Sequence, residues 1–322
     1  MIARKKFDSK DSQGISTFLH EHGYCVINPE DDSLEAFRAV AGRFGLIQFH
    51  TKSDKTGVVG GGDPINKDWQ AFRDDYHGEL SSDFYPHTDG SFLNGMAYID
   101  GVARKITPPK YVILQCVSKP QFGGDNFLVD GQRIYNDLLV NHPDILRILM
   151  TSGSVTYCRD DLLSIDCSVF EKVNENKLRI RYRYDSTAFS PEWASSAFQY
   201  IQDKYSTNPD YITNISLEPG EILVMDNLRV LHARHQFTDG NMKRKVRRLW
   251  IADDTSMVFK NILNQSPVRR AMLPFQKYNI AAAENAPAII DYSCGIRFQS
   301  DMFLTPPCAE LEQWPASSAN RQ

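Results

Sequence analysis

The chain has 322 residues, of which 42% are hydrophobic and 24% are charged, as in an ordinary globular protein with a substantial core. Its formal net charge is −4, so the chain lacks the excess of basic residues that favours nucleic-acid binding. We therefore expect no nucleic-acid partner. The length suits one large domain or two ordinary ones.

The cysteine pattern and the hydropathy bear on the compartment. The six cysteines show neither CxxC pairing nor the spacing of zinc ligands. No apolar run resembles a signal peptide or a membrane span, so we expect a cytoplasmic protein that does not contact a membrane. We interpret residues 1–322 as a single domain with flexible tails at 1–10 and about 308–322.

The first elements are predicted from helical spacing and from residues that begin or end helices. Ser12 to His22 has apolar residues at helical spacing, and Gly23 is well placed to end that helix. A short strand at 24–27 follows, and then a helix that Ser33 caps and Gly45 ends.

Residues 51–84 form a long polar stretch with three consecutive glycines at 60–62. A loop of this length inside a domain is usually functional or disordered. We predict that it partly covers the active site, so that Trp69, Phe72 and Tyr76 line a substrate pocket. The alternative is that these aromatic residues only anchor the loop to the surface.

The loop leads into a pair of residues that suit a metal. In an extended segment alternate side chains share a face, so His87 and Asp89 point the same way. One imidazole and one carboxylate make two-thirds of the facial triad that holds Fe(II) and leaves positions open for chemistry.

Two other pairs compete with this one. His142 precedes Pro143 and Asp144 in a pattern that is typical of a helix start, because Pro suits the first helical position. His77 and Glu79 lie in the polar stretch and remain a minor candidate.

The remaining chain alternates between strands and helices. Residues 178–185 place four side chains, Arg179, Arg181, Arg183 and Asp185, on one face of a strand. A solvated strand face is the simpler interpretation, and the alternative is that Arg183 meets a substrate carboxylate. The other predicted strands cover 111–117, 127–129, 222–225, 228–234 and 247–251, and the predicted helices cover 130–139, 143–150 and about 191–205.

The later strands supply a second histidine and a cation. His232 and His235 lie near the end of one predicted strand, three positions apart, and therefore face opposite ways. Arg247 and Arg248 lie in an otherwise apolar strand. A buried arginine needs an anionic partner, because an unpaired buried charge costs several kcal/mol.

Four motifs in order carry a family resemblance. They are the His-Thr-Asp-Gly-Ser-Phe segment at 87–92, Gly-Gly-Asp at 123–125, the stretch from Pro219 through Asp226, Asn227 and Arg229 to His232, and Arg247-x-Leu249. Over about residues 15 to 255 the chain resembles the taurine dioxygenase-type, clavaminate synthase-like family of Fe(II)/2-oxoglutarate oxygenases.

The resemblance implies a fold and a set of roles. The fold would be mainly β with flanking helices, a double-stranded β-helix (jelly roll, cupin-like barrel). His87, Asp89 and His232 would hold Fe(II), with His235 as the rival ligand. Compared with the family pattern, residues 94–107 form an insertion beside the metal.

The resemblance also implies how 2-oxoglutarate binds. Arg247 rather than Arg248 would pair with its far carboxylate, because the family pattern is Arg-x-Leu. Asn126 stands where many members have Thr or Ser, and its amide can also donate a hydrogen bond. Arg234 shares a face with His232 and would support the site.

The implied reaction consumes O2 and 2-oxoglutarate, releases succinate and CO2, and oxidises a C–H bond of a small polar, amino-acid-like substrate. Because Asp89 is present as a ligand, hydroxylation or desaturation is favoured over halogenation. The alternatives are a metal-binding jelly roll without oxygenase activity and a metal-dependent hydrolase. Neither gives a reason for an arginine on a barrel strand after the distal histidine.

Overall fold

A computed structural model describes most of the first 253 residues and one short strand beyond them. The described residues are 5–45, 47–50, 53–54, 56–60, 81–93, 95–99, 102–106, 108–159, 162–174, 177–253 and 289–291. Trp69, Phe72, Tyr76, His77 and Glu79 lie outside these ranges, and so do residues 1–4 and the predicted tail at about 308–322. Within the predicted tail at 1–10, Lys6–Asp8 form a strand that pairs with residues 26–28.

The described residues form a mainly β structure with five helices. The helices are α1 (Ser12–His22), α2 (Leu34–Gly42), α3 (Gly131–Asn141), α4 (Pro143–Met150) and α5 (Glu192–Tyr205). The strands are β1 (Lys6–Asp8), β2 (Tyr24–Asn28), β3 (Ile47–Phe49), β4 (Phe84–His87), β5 (Gly95–Ile99), β6 (Val102–Ile106), β7 (Tyr111–Ser118), β8 (Phe122–Gly123), β9 (Asn126–Asp130), β10 (Val155–Arg159), β11 (Leu162–Cys167), β12 (Phe170–Asn174), β13 (Lys177–Ile180), β14 (Ala188–Phe189), β15 (Ile212–Ile215), β16 (Ile222–Asp226), β17 (Val230–Arg234), β18 (Phe237–Thr238), β19 (Lys245–Ile251) and β20 (Ile289–Asp291).

The helix ends follow from local chemistry that the sequence displays. The Asp11 side chain accepts a hydrogen bond from the Gly14 amide at the start of α1, and Gly23 ends the helix with a φ of 78°. Ser33 caps α2 in the same way through the Ala36 amide. None of the helices in the described part of the chain is long and apolar enough to cross a membrane.

The larger sheet has seven strands in the order β1-β2-β16-β7-β19-β3-β20. Its inner strand β16, between β2 and β7, is apolar from Ile222 to Met225, and all four of those side chains are fully buried. Such a continuous run fits a strand that is covered on both faces. The sheet therefore supplies much of the core and a rigid support for β19.

The smaller sheet has four strands in the order β15-β9-β17-β4. In the antiparallel pairing of β17 with β4, His232 lies directly opposite His87. The side chain of Asp89, just after β4, contacts Arg248 and Trp250 of β19 in the larger sheet. The two sheets therefore meet across Asp89.

Two sequence expectations change in the structure. Strand β13 ends at Ile180, and the Tyr182 carbonyl accepts from the Thr88 amide instead of continuing a strand. Arg179, Arg181 and Arg183 are all buried, so the solvated-face interpretation of residues 178–185 is wrong. Within the 94–107 insertion, β5 and β6 pair as an antiparallel hairpin.

Candidate metal centre and the pocket beside it

Three predicted ligands come together in the structure. The Nε2 atoms of His87 and His232 lie 3.4 Å and 3.7 Å from Oδ1 of Asp89. All three residues are buried, and their ligand atoms lie within 4.8 Å of one another. In the part of the chain that the structure describes, this is the only such group of His, Cys, Asp and Glu side chains.

The protonation states of these residues suit a metal. Nδ1 of His87 lies 2.8 Å from the Tyr85 carbonyl oxygen, which can only accept, so Nδ1 carries the proton. Nε2 of His87 is therefore left as a lone pair, and it is buried without a hydrogen-bond partner among the described residues. Burial, reinforced by nearby His232, lowers the pKa of His87 to about 4. At neutral pH its imidazole is thus the neutral form that binds cations.

Asp89 is the anionic member of the group. Burial would raise the pKa of its carboxyl, but the Arg248 guanidinium and the two imidazoles hold that pKa well below its usual range. Oδ2 of Asp89 accepts hydrogen bonds from Trp250 Nε1 at 2.7 Å and Arg248 NH1 at 3.1 Å. Two imidazoles and one carboxylate are the donor set that Fe(II) takes in a facial triad, so the residues present fit this metal.

The backbone of Asp89 is also held in place, by a residue whose role the sequence did not reveal. The buried Asn227 amide accepts from the Asp89 N–H at 2.7 Å and donates to the Asp89 and Pro109 carbonyls at 3.0 Å and 2.9 Å. In the sequence, Asp226 and Asn227 were noted only as part of the family motif that leads to His232. The spacing of Asn227 to His232 was visible, but its partner lies 138 positions away in sequence.

A cavity of about 540 Å³ opens beside His232. Its apolar lining includes Leu114 and Val246. Its polar lining includes the Asn126 amide, one acidic residue (Asp239) and five basic residues, Arg234, Arg244, Lys245, Arg247 and Arg248. The Asn126 side chain makes no hydrogen bond to another described residue, so its amide is available to a ligand in the cavity. A cationic pocket next to the ligand group is suited to an anion.

Arg244 is the arginine of this cavity that sequence reasoning missed, since its neighbours Lys243 and Lys245 suggested a solvated loop. Within the described ranges it forms no ion pair with a carboxylate, and burial lowers the pKa of its guanidinium. The guanidinium packs over the Phe237 ring at 5.6 Å. Arg244 directly precedes β19, which begins at Lys245, and the sequence carries no pattern that assigns it to the cavity.

The two neighbouring arginines of β19 have different partners. Arg248 contacts Asp89 and also lies 3.3 Å from Nε2 of His50. Arg247 bonds to the side-chain oxygen of Gln115 and the Asp32 carbonyl, both at 2.8 Å, and it also lines the cavity. Its predicted contact with the far carboxylate of 2-oxoglutarate stays a prediction.

The other candidate residues lie as follows. Arg234 donates to the Ser82 carbonyl at 2.7 Å and lines the cavity, and burial lowers the pKa of its guanidinium to about 10. Arg183 forms an ion pair with Asp185. The charge of Arg183 is also close enough to His87 to contribute to the lowered pKa of that histidine. His235 stacks on Phe127 with ring centroids 4.6 Å apart and is exposed, so it does not join the ligand group.

The third rival, His142, lies elsewhere. Its Nε2 is 2.9 Å from the Tyr200 hydroxyl, and Pro143 begins α4, as the helix-start interpretation predicted. His142 therefore belongs to a helix junction and not to the ligand group.

Comparison with known proteins places the chain in a family. Residues 3–250 match the model of the taurine catabolism dioxygenase TauD, TfdA family. The chain belongs to this family. A γ-butyrobetaine dioxygenase from Pseudomonas sp. (strain AK-1) is 25% identical over 258 residues, which cover 75% of this chain and 65% of the relative. The chain spans less than two thirds of the length of the first curated relatives that it matches.

Solved structures of the same fold include two TauD-type oxygenases. An asparagine oxygenase in complex with Fe(II), 2S,3S-3-hydroxyasparagine and succinate has a TM-score of 0.52 at 13% identity, covering 87% of this chain and 84% of its own. A putative α-ketoglutarate-dependent taurine dioxygenase from Burkholderia xenovorans has a TM-score of 0.53 at 16% identity, covering 76% and 82%. At these identities the likeness concerns the fold.

Proposed function

We propose that this chain is an Fe(II)/2-oxoglutarate-dependent oxygenase that hydroxylates a C–H bond of a small polar metabolite. The observation that carries the proposal is the buried group of His87, Asp89 and His232 beside a cavity in which Arg244 forms no ion pair with a carboxylate of the described residues. Iron held there would supply the activation of O2, coupled to oxidation of 2-oxoglutarate to succinate and CO2. We further propose the double-stranded β-helix of the family, with residues 1–322 as one domain, because the two sheets meet across Asp89.

In this proposal Arg244 takes the far carboxylate of 2-oxoglutarate. Its guanidinium lacks a carboxylate partner among the described residues, whereas Arg248 already has Asp89. Arginine and carboxylate match as two parallel hydrogen bonds, and the buried setting strengthens them. The Asn126 amide, which lines the same cavity, would donate to the same carboxylate. Arg247 also lines the cavity, but it already bonds to Gln115 and the Asp32 carbonyl, so we propose Arg244 for this contact.

The substrate class follows from the relatives and not from the chain itself. The named relatives act on γ-butyrobetaine and on asparagine, so a small polar, amino-acid-derived substrate is proposed. Arg183 already pairs with Asp185, so it would contribute to recognition of the substrate only if its guanidinium contacted the substrate and Asp185 together. We propose hydroxylation over halogenation, because the Asp89 carboxylate occupies the position that a halide would need.

The alternatives of a metal-binding protein without activity and of a hydrolase are less well supported. A hydrolase needs a metal and a water, but it has no use for an uncompensated arginine in a cavity beside the metal. A dicarboxylate cosubstrate gives that arginine a partner. The cavity therefore favours the oxygenase.

The test is anaerobic and does not require the substrate. Purified protein is mixed with Fe(II) and 2-oxoglutarate, and the weak visible absorption band of an iron–oxoacid chelate is recorded. The band is expected for the native chain and should be absent when succinate replaces 2-oxoglutarate. Iron binding without the band would instead support the metal-binding alternative. Screening small metabolites for substrate-dependent succinate release then identifies the substrate.

A further inference from the structure

The two oxygens of the Asp89 carboxylate have different surroundings. Oδ1 faces both histidine Nε2 atoms, at 3.4 Å and 3.7 Å. Oδ2 points the other way and accepts hydrogen bonds from Trp250 and Arg248. If the carboxylate bound a metal through both oxygens, Oδ2 would have to leave these donors. The contacts therefore favour binding through Oδ1 alone.

Of the two donors, Trp250 is the fixed one. Its side chain is 3% exposed, and its ring meets the His50 ring edge-on with centroids 4.6 Å apart. The indole N–H can only donate a hydrogen bond, and the ring carries no charge. Trp250 therefore does not change its protonation state and does not attract an anion. Arg248, in contrast, also contacts His50 and lines the cavity, where its positive charge can attract an anionic ligand.

We propose that Trp250 is a positioning residue that holds Oδ2 of Asp89 through its Nε1–H group, so that Asp89 offers the metal one oxygen only. The coordination position that a second oxygen would fill is thereby kept open for the other ligands. This proposal rests on the proposed metal site. It predicts that the indole N–H, and not merely the bulk of the ring, determines how Asp89 binds.

The first test compares metal affinity in matched variants. Mn(II), which resists air oxidation, is titrated against a fluorescent chelator in the native protein and in Trp250→Phe. Loss of a partner that orients a metal ligand typically weakens binding about 10- to 100-fold, and we expect that range. Trp193→Phe is the control, because Trp193 is 53% exposed and lies on α5 away from the ligands. It should bind Mn(II) like the native protein.

A second variant separates the hydrogen bond from packing. Replacing Trp250 with benzothienylalanine keeps the two fused rings but puts sulfur in place of the N–H group. We expect it to weaken Mn(II) binding as Trp250→Phe does. Native affinity in this variant would overturn the proposal, because the ring alone would then suffice.

Infrared spectra give a readout that loss of stability does not mimic. In metal-bound minus metal-free difference spectra, a carboxylate bound through one oxygen shows a wider separation of its two stretching bands than one bound through both. We expect the wide separation in the native protein and in Trp193→Phe, and a narrower one in both Trp250 variants. Unchanged separation and unchanged affinity in those variants would refute the role of Trp250. If the native protein itself bound no Mn(II), the proposed metal site would fail instead.

Discussion

The four-stranded sheet and the seven-stranded sheet contribute different kinds of group to the same site. The smaller sheet carries His87 and His232, whose Nε2 atoms face the Asp89 carboxylate. The larger sheet carries Arg248 and Trp250, which hold that carboxylate from behind. One sheet thus presents the two imidazoles, and the other fixes the carboxylate.

Because of this division of roles, substitution of a proposed ligand can weaken metal binding, destabilise the fold, or do both. In the proposed site the histidines would contribute to metal binding and to local packing. Asp89 would contribute to metal binding, and it also forms an ion pair with the buried Arg248, which makes it part of the contact between the sheets. Variants at the two kinds of ligand should therefore fail in different ways.

The largest effect is expected for Asp89→Ala, which should abolish both iron binding and turnover. It also leaves Arg248 buried without its carboxylate, since the two side chains are 7% and 13% exposed. Removing one member of a buried ion pair costs about 3–5 kcal/mol of folding free energy. Chemical denaturation and iron content per chain measure the two losses. Retained iron and activity would refute the ligand assignment and return attention to His77 and Glu79.

His232→Ala should lose iron and turnover with a smaller loss of stability. The Nδ1 atom of His232 has no hydrogen-bond partner among the described residues. The substitution therefore removes no ion-pair partner from a buried charged group at that atom. His235→Ala is the matched control, because that exposed ring only stacks on Phe127 and contacts Asn214. It should keep iron and turnover. Loss of iron in the His235 variant alone would mean that the ligand is misassigned by three residues.

Arg244→Ala should raise the apparent KM for 2-oxoglutarate and leave iron binding intact. Truncating one partner of a buried charge pair costs about 2–4 kcal/mol, or roughly 30- to 1000-fold in affinity. Arg247→Ala is the comparison, since Arg247 also lines the cavity but already bonds to Gln115 and the Asp32 carbonyl. The rate of succinate release is measured at increasing 2-oxoglutarate concentrations, and the apparent KM values of the two variants are compared. A larger effect in Arg247→Ala would restore the expectation from the sequence.

The sequence predicted that His87 and Asp89 lie together because their signal is local. Alternation alone puts them on one face, and helix caps such as Ser33 are evident within four residues. Which arginine of β19 contacts Asp89 was not predictable in this way. Arg247 and Arg248 are followed by the apolar run Leu249, Trp250 and Ile251, which sets no alternation, and an error of one residue reverses every side chain.

Contacts between distant segments were likewise hidden. Trp250 donates to a carboxylate 161 positions earlier in the chain, and Asn227 bonds to a backbone 138 positions away. No local pattern marks such a pairing, because each residue type has many other uses. Their roles emerge only when the two sheets are brought together.

Asn227→Asp tests the backbone support of the site. The substitution keeps the size of the side chain and an acceptor for the Asp89 N–H, but it puts a carboxylate oxygen in place of the donor to the Asp89 and Pro109 carbonyls. A buried group left without its partner costs about 1–3 kcal/mol, and burying a carboxylate against two carbonyl oxygens adds to that cost. We expect a loss of folding free energy of at least that size and weaker Mn(II) binding. Asn241→Asp, at an exposed position, makes the same chemical change and should alter neither quantity. Equal behaviour of the two variants would show that the smaller sheet holds Asp89 without Asn227.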